Sequence, residues 1–214
     1  MDRSPLKSPA ISVTATGEAS VAPDLAVVTF AVSGNGRELP PTRDDVNSRS
    51  SAVLARLRGL GLAEADIRAP DINIQPEYDY RKGQRLVGYR VARQMTVRVR
   101  ELERLGEVLD AIVAAGANEV HGTQMTAADP SAAEHAALAS AIRAARAKAE
   151  ALASAAGVPL GAVVRIEEEA SSGVGPFPLR AMATMAESAD VPTEVAAGEL
   201  TVTRQIRAWF LIGD

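Results

Sequence analysis

Residues 86–116 read LVGYRVARQMTVRVRELERLGEVLDAIVAAG, and two periodicities meet inside them. Up to Arg100, the residues Tyr89, Val91, Met95, Val97 and Val99 fall on alternate positions, with Arg90, Gln94, Arg98 and Arg100 on the other set. Successive strand side chains point to opposite faces, so this half reads as a strand with one buried side. Arg93 breaks the alternation. From Leu102 the spacing changes: Leu102, Leu105, Leu109, Ile112 and Val113 recur at helical intervals, and Gly116 supplies the stop. A strand running directly into a helix points to an α+β protein.

Working outward, residues 72–80 and 86–100 form a long hairpin joined by Arg81-Lys82-Gly83-Gln84-Arg85. Ahead of it Val46, Val53, Leu54, Leu57 and Leu60 mark a helix that ends before Gly61, and Thr42 with Asp45 has the form of a capping box at its start. Two strands, 11–21 and 24–34, are divided by Pro23-Asp24. Residues 1–9, with Pro5 and Pro9, read as a disordered tail. Downstream come a strand at 118–127, a helix opened by Asp129-Pro130 and closed by Gly157, a strand at 162–169, a flexible loop at 170–194 and a last strand at 199–212. The expected fold is thus α+β, mixed or antiparallel sheets with about three helices, in one domain over residues 10–214. An internal echo suggests a β-α-β-β pseudo-repeat: Gly61-Leu62 and Arg93-Gln94-Met95 in one half answer Gly157-Val158 and Arg204-Gln205-Ile206 in the other.

The composition of the 214 residues is 47% hydrophobic and 23% charged, ordinary for a folded domain, but only 3% aromatic. The core must be built from Val, Ile, Leu and Ala, and such thin cores lean on partner subunits. A net charge of −4 offers no field to attract a phosphate backbone, which argues against nucleic-acid binding. With no cysteine there is no disulfide, thiol nucleophile or Cys-bound zinc. No stretch approaches the ~20 apolar residues of a membrane span. The opening MDRSPLKSPA lacks the apolar run of a secretory signal, so the sequence as it stands reads as cytoplasmic, and as periplasmic or envelope if a leader has been trimmed from it.

Residues able to do chemistry are few. His121 and His135 stand in no metal-ligand spacing. No serine sits in a G-x-S-x-G turn, and Gly34-Asn35-Gly36 lacks the third glycine and following helix of a dinucleotide loop. Glu167-Glu168-Glu169 cannot converge on a cation from a strand, whose neighbours alternate in direction. The hairpin arginines with Tyr78, Tyr80 and Tyr89 look superficially like a nucleic-acid platform, but in an acidic chain they read as subunit contacts or solvated side chains. Catalytic, cofactor-binding and metal residues are therefore expected to be none, and no cofactor is expected. Assembly or partner contacts are assigned to Leu138, Ile142, Ala145, Ala149 and Leu152, an apolar seam alternately four and three apart that continues to Ala156. Phe177, Leu179, Met182 and Met185 are assigned the same role, because loop 170–194 carries more large apolar side chains than a solvating linker needs.

These segments, in order, resemble the SIMPL-domain family, which includes the periplasmic immunogenic proteins and related bacterial envelope proteins. The likeness is carried by ISVTATGEASVAPDLAVVTFAV at 11–32, LGLAEADIRAPDINIQPEYDY at 60–80, residues 85–122, residues 129–166 and GELTVTRQIRAWFLI at 198–212. Its marks are the G-E-x-x-x-x-P-D opening at Gly17, the P-x-Y-x-Y hairpin at Pro76 with Gly88-Tyr89, and the A-G-A-N turn ending at Asn118. The resemblance implies a non-enzymatic protein, since the family carries no established catalytic residues. It also implies homo-oligomers, ring- or channel-like in some members, and a link to envelope or oxidative stress. The expectation is a self-assembling structural or interaction protein, with a protein partner engaged through loop 170–194. The alternative is a small-molecule or lipid-binding module closed by the hairpin tyrosines and the methionine loop.

Overall fold

A computed structural model of the chain describes residues 9–70, 72–81, 83–169 and 198–213. In chain order the elements are β1 (Ala10–Val21), β2 (Leu25–Gly36), α1 (Leu39–Gly59), β3 (Ile67–Arg68), β4 (Ile72–Asp79), β5 (Arg85–Val99), α2 (Leu105–Ala114), β6 (Glu119–Thr126), α3 (Ser131–Ala156), β7 (Leu160–Glu169) and β8 (Leu200–Ile212), with 3-10 turns at Glu64–Asp66 and Leu102–Arg104. This is an α+β fold with two antiparallel sheets and three α-helices among the described residues. They divide into two compact units, one continuous (23–126) and one assembled from 9–22, 127–169 and 198–213. The tail expected at 1–9 lies outside the described residues except for Pro9, whose carbonyl accepts a hydrogen bond from Ile212 N at 3.1 Å.

The continuous unit is a five-stranded sheet in the order β3-β5-β2-β6, with β4 also on β5, covered on one face by α1 and α2. Its core follows the two periodicities of residues 86–116. Val91, Met95 and Val97 of β5 and Val28, Phe30 and Val32 of β2 meet Val53 and Leu57 of α1 and Leu105 and Ile112 of α2, all buried. Arg93 lies in the apolar row of β5 but stays only half-buried, donating from Nη2 to the Ala69 carbonyl at 3.4 Å. The capping box expected at Thr42 and Asp45 does not form. The N-cap is Glu38, four residues before Thr42, and Pro40 and Pro41 stand inside the first turn, where missing amide protons cost nothing. Thr42 is thereby a helical residue, and its hydroxyl donates back to the Glu38 carbonyl at 2.7 Å. At the other end Gly61 takes the left-handed conformation, φ +82°.

The discontinuous unit is a three-stranded sheet, β1-β8-β7, with α3 laid across β1 and β8. Strands 11–21 and 25–36, neighbours in sequence, thus enter different sheets. Every fourth residue of α3 is buried, and all of them are alanine: Ala133, Ala137, Ala141, Ala145, Ala149 and Ala153. Such an i, i+4 ridge with no bulk lets a helix backbone come very close to its support. It does so over Gly17 of β1, where an added Cβ would stand 2.2 Å from both Ala137 O and Ala141 N. Val13, Ile206, Ala208 and Phe210 fill the space beside the ridge.

The pseudo-repeat does not take the form expected. A second β-α-β-β copy would run β6-α3-β7-β8, but β6 pairs with β2, and β1 takes the place beside β8. The strand orders β4-β5-β2 and β7-β8-β1 are alike, with Arg93 and Arg204 on the two middle strands. That likeness joins segments that are not contiguous.

Candidate functional site

The face of the five-stranded sheet turned away from α1 and α2 carries the even-numbered side chains of β5. There the end of β6, β4 and β5 enclose a cleft of about 460 Å³ whose polar lining includes Asn73, Gln75, Arg90, Gln94, Glu119 and His121. Glu119 is its centre: Oε1 accepts from Arg90 Nη2 at 2.5 Å and from Ser33 Oγ at 2.6 Å, and Oε2 lies 3.8 Å from His121 Nε2. Ser33 is itself fixed by Asn118, whose Oδ1 accepts from Ser33 N at 2.8 Å and whose Nδ2 donates to Ser33 O at 3.0 Å. The Asn118 side chain thus extends the β2 ladder as a peptide group would. Serine, glutamate and histidine stand together here, but in an order unsuited to a nucleophile. The serine proton points at a carboxylate already held by an arginine, whereas activation needs an adjacent free base. The arrangement suits binding of a polar group.

A second cleft, about 240 Å³, includes Asp66, Arg98, Arg100 and Arg104 in its lining. Asp66 is buried and accepts from Arg100 Nε and Nη2, each at 3.0 Å. The guanidinium hydrogen bonds hold its carboxyl below the ordinary range, against the opposing pull of burial. Among the described residues no group of three or more His, Asp or Glu could hold a metal ion. His121 is on β6 and His135 on α3, in different units, and both are exposed.

The helix seam is divided by the structure. Ala145 and Ala149 are fully buried against the sheet and belong to the core, and Leu138 packs beside it. Ile142 and Leu152, at 44% and 49% exposure, lie outside the buried ridge, Ile142 at the margin of a small hollow shared with Val163 and Ile166 of β7. Alternate three- and four-residue steps describe a helix lying along a partner; the observed constant step of four describes one inclined across the strands. Phe177, Leu179, Met182 and Met185, with loop 170–194, lie outside the described residues. Of Glu167-Glu168-Glu169, the outer two share one face of β7, and all three pair with arginines: Glu167 with Arg165, Glu168 with Arg204 at 3.6 Å, Glu169 with Arg207 at 2.7 Å.

Tyr78, Tyr80 and Ile142, already singled out in the sequence, prove to belong to two apolar surfaces whose other members, Leu86, Val87, Val163, Val164 and Ile166, sequence reading missed. One is the outer end of the β4–β5 hairpin, where Tyr78, Tyr80, Leu86 and Val87 are exposed. The other flanks β7, where Val163, Val164 and Ile166 are exposed with Ile142 of α3 beyond them. Large uncovered side chains gathered in this way mark interaction sites more often than single ones do.

The family description "Protein of unknown function (DUF541)", SIMPL, matches residues 11–210, almost the whole described chain. The chain belongs to the SIMPL family. Among similar SIMPL proteins, the 26 kDa periplasmic immunogenic protein of Brucella melitensis is 33% identical over 213 residues, 94% of this chain and 84% of that one. The uncharacterized protein YggE of Edwardsiella ictaluri is 31% identical over 78% of this chain and 70% of its own length. YggE of Escherichia coli K12 is 28% identical over 58% and 51%. The cytoplasmic location read from residues 1–10 finds no support in these SIMPL relatives: the Brucella melitensis protein carries "periplasmic" in its name, as does a protein of the same name from Brucella abortus, also 33% identical over 94% of this chain and 84% of its own length. Among the described residues no helix is long and apolar enough to cross a membrane.

Proposed function

We propose that the chain acts by self-association rather than by catalysis, as a structural or interaction protein of the bacterial envelope. The observation that carries this reading is the pair of uncovered apolar surfaces among the described residues, at the end of the β4–β5 hairpin and along β7. Burying such surfaces removes apolar area from water at about 25 cal/mol per Å², the ordinary driving force for subunit association. The names of the Brucella relatives support a periplasmic setting, and the SIMPL resemblance adds the link to envelope or oxidative stress. Multi-angle light scattering of the purified chain at micromolar concentration tests the proposal. A defined oligomer is expected; a monodisperse monomer overturns it.

One observation favours a second reading, a binding module for a small polar ligand. The 460 Å³ cleft has the volume of a small-molecule site, and several side-chain amides converge in it. An apolar or lipid ligand is a poorer match, because none of the three tyrosines is among the residues lining that cleft. Native mass spectrometry of protein purified from cells separates the readings: a reproducible bound mass promotes the second, and empty oligomers leave the first in place.

A further inference from the structure

Resting on the binding-module reading, we infer that the cleft on the open face of the five-stranded sheet takes a neutral polyhydroxylated ligand, a monosaccharide or disaccharide. The cleft exists because of where the small side chains fall. Alternate residues of a strand share a face, so β5 presents Arg90, Ala92 and Gln94 together. The register sets Asn73 of β4 and Ser33 of β2 on either side of Ala92, and sets Ala31 of β2 between Gln94 and Glu119. Ala31 and Ala92, both in the lining, are too short to fill the space between the longer polar side chains of β4, β5 and β6.

Among the described lining residues the charges cancel. Arg90 and Glu119 are paired at 2.5 Å. An anion would find the guanidinium committed to a carboxylate, and a cation would find the carboxylate committed to the guanidinium; displacing either breaks a charge-assisted bond.

What the cleft offers instead is hydrogen-bonding capacity. The side-chain amides of Asn73, Gln75 and Gln94 make no hydrogen bond among the described residues, and each brings two donors and an acceptor. Arg90 spends Nη2 on Glu119, which leaves Nε and Nη1 as donors. Glu119 Oε1 is taken by Arg90 and Ser33, while Oε2 has His121 Nε2 at 3.8 Å and stays open as an acceptor. This carboxylate is also held in place, because Asn118 fixes the Ser33 that fixes it. Donors and acceptors are thus mixed around one cleft. A hydroxyl is both at once, so a ring bearing several hydroxyls can meet such a lining at each position. An apolar ligand would strip the amides of water and leave them unpaired. The volume of about 460 Å³ lies within the ~300–1,000 Å³ of small-molecule sites and accommodates one or two sugar rings.

Saturation-transfer NMR of the full chain with glucose, N-acetylglucosamine, maltose, glutamate and putrescine tests this. Transfer is expected to at least one of the three sugars, undiminished by added salt, because a neutral ligand is not screened. Asn73→Leu and Gln94→Leu, at exposed positions and with the fold verified by circular dichroism, should each weaken sugar binding about tenfold or more. Leu152→Ala, on α3 and outside the cleft, should leave it as in the wild type. No transfer to any sugar, or transfer that both cleft variants retain, overturns the inference. Transfer to glutamate or putrescine as strong as to any sugar overturns the polyhydroxyl class alone and leaves a polar binding module. A chain that takes up none of the probes and carries no bound mass in native mass spectrometry overturns the binding-module reading as well.

Discussion

Gly17 bears on β1 what no other residue type could. With Ala137 O and Ala141 N at 2.2 Å from the Cβ that alanine would add, Gly17→Ala must push a helix backbone off its sheet. Overpacking usually costs about 1–3 kcal/mol and occasionally more, and here the obstructing atoms are backbone, so a loss of about 3 kcal/mol is expected in urea unfolding. Gly59→Ala, where nothing lies within 4 Å, is the control and should leave the midpoint unchanged or slightly raised. Asp66 makes a second residue-scale prediction. Its folded carboxyl is held below the unfolded value, so its contribution is fully present above the unfolded value near pH 4 and disappears as pH falls through the lower folded one. Asp66→Asn should cost about 1 kcal/mol near neutrality, with the exposed Arg100 limiting the loss. The gap between wild type and variant in melting temperature should close below pH 4. Gly17 was visible in the sequence as the first letter of the G-E-x-x-x-x-P-D opening, but its reason was not, because a contact 120 residues or more away in sequence leaves no local signal. Asn118 was equally visible as the end of a turn, and its bonds to Ser33 belong to tertiary structure.

At the scale of elements, the alternation of β5 and the stripe of α2 were legible because burial on one face imposes a period on the sequence itself. The seam on α3 was half-legible. In a helix where alanine occupies so many positions, composition cannot distinguish the buried alanines from exposed ones such as Ala156, and the larger Leu152 and Ile142 drew the seam away from the ridge. Substitution makes the distinction measurable. Ala145→Leu or Ala149→Leu, at fully buried positions, should lower stability by about 1–3 kcal/mol. Leu152→Ala, at a position half-exposed, should change it by less than about 0.5 kcal/mol. Equal effects in thermal melts would mean that the ridge is not the packing surface. The start of α1 was misread for another reason: consecutive prolines look like a break before a helix, whereas here they stand inside the first turn behind Glu38 as N-cap.

For the whole molecule, the class and nearly all element boundaries could be read from the sequence, whereas the pairing could not. A strand's sequence encodes which face is buried and says little about its neighbour, so β1 and β2, side by side in the chain, gave no hint of entering separate sheets. The polar cleft was hidden for the same reason: Arg90, Glu119 and Asn73 converge only once β6, β2, β5 and β4 are laid side by side. The pairing of β1 also bears on synthesis. From Ala10 opposite Leu211 to Val21 opposite Leu200, every ladder partner of β1 belongs to β8, which is made long after it. A chain emerging from the ribosome or a translocation pore can complete residues 23–126 on their own, their ends already joined by Asp24 N to Thr126 O at 3.2 Å. Strand β1 must meanwhile wait, Val13 and Ala15 bare, until β8 appears. Long-range pairing of this kind is slow and open to misassociation. Pulse-labelled hydrogen exchange during refolding should therefore protect the amides of β2 and β5 before those of β1 and β8, and a holdase should bind nascent chains that lack β8 and release complete ones.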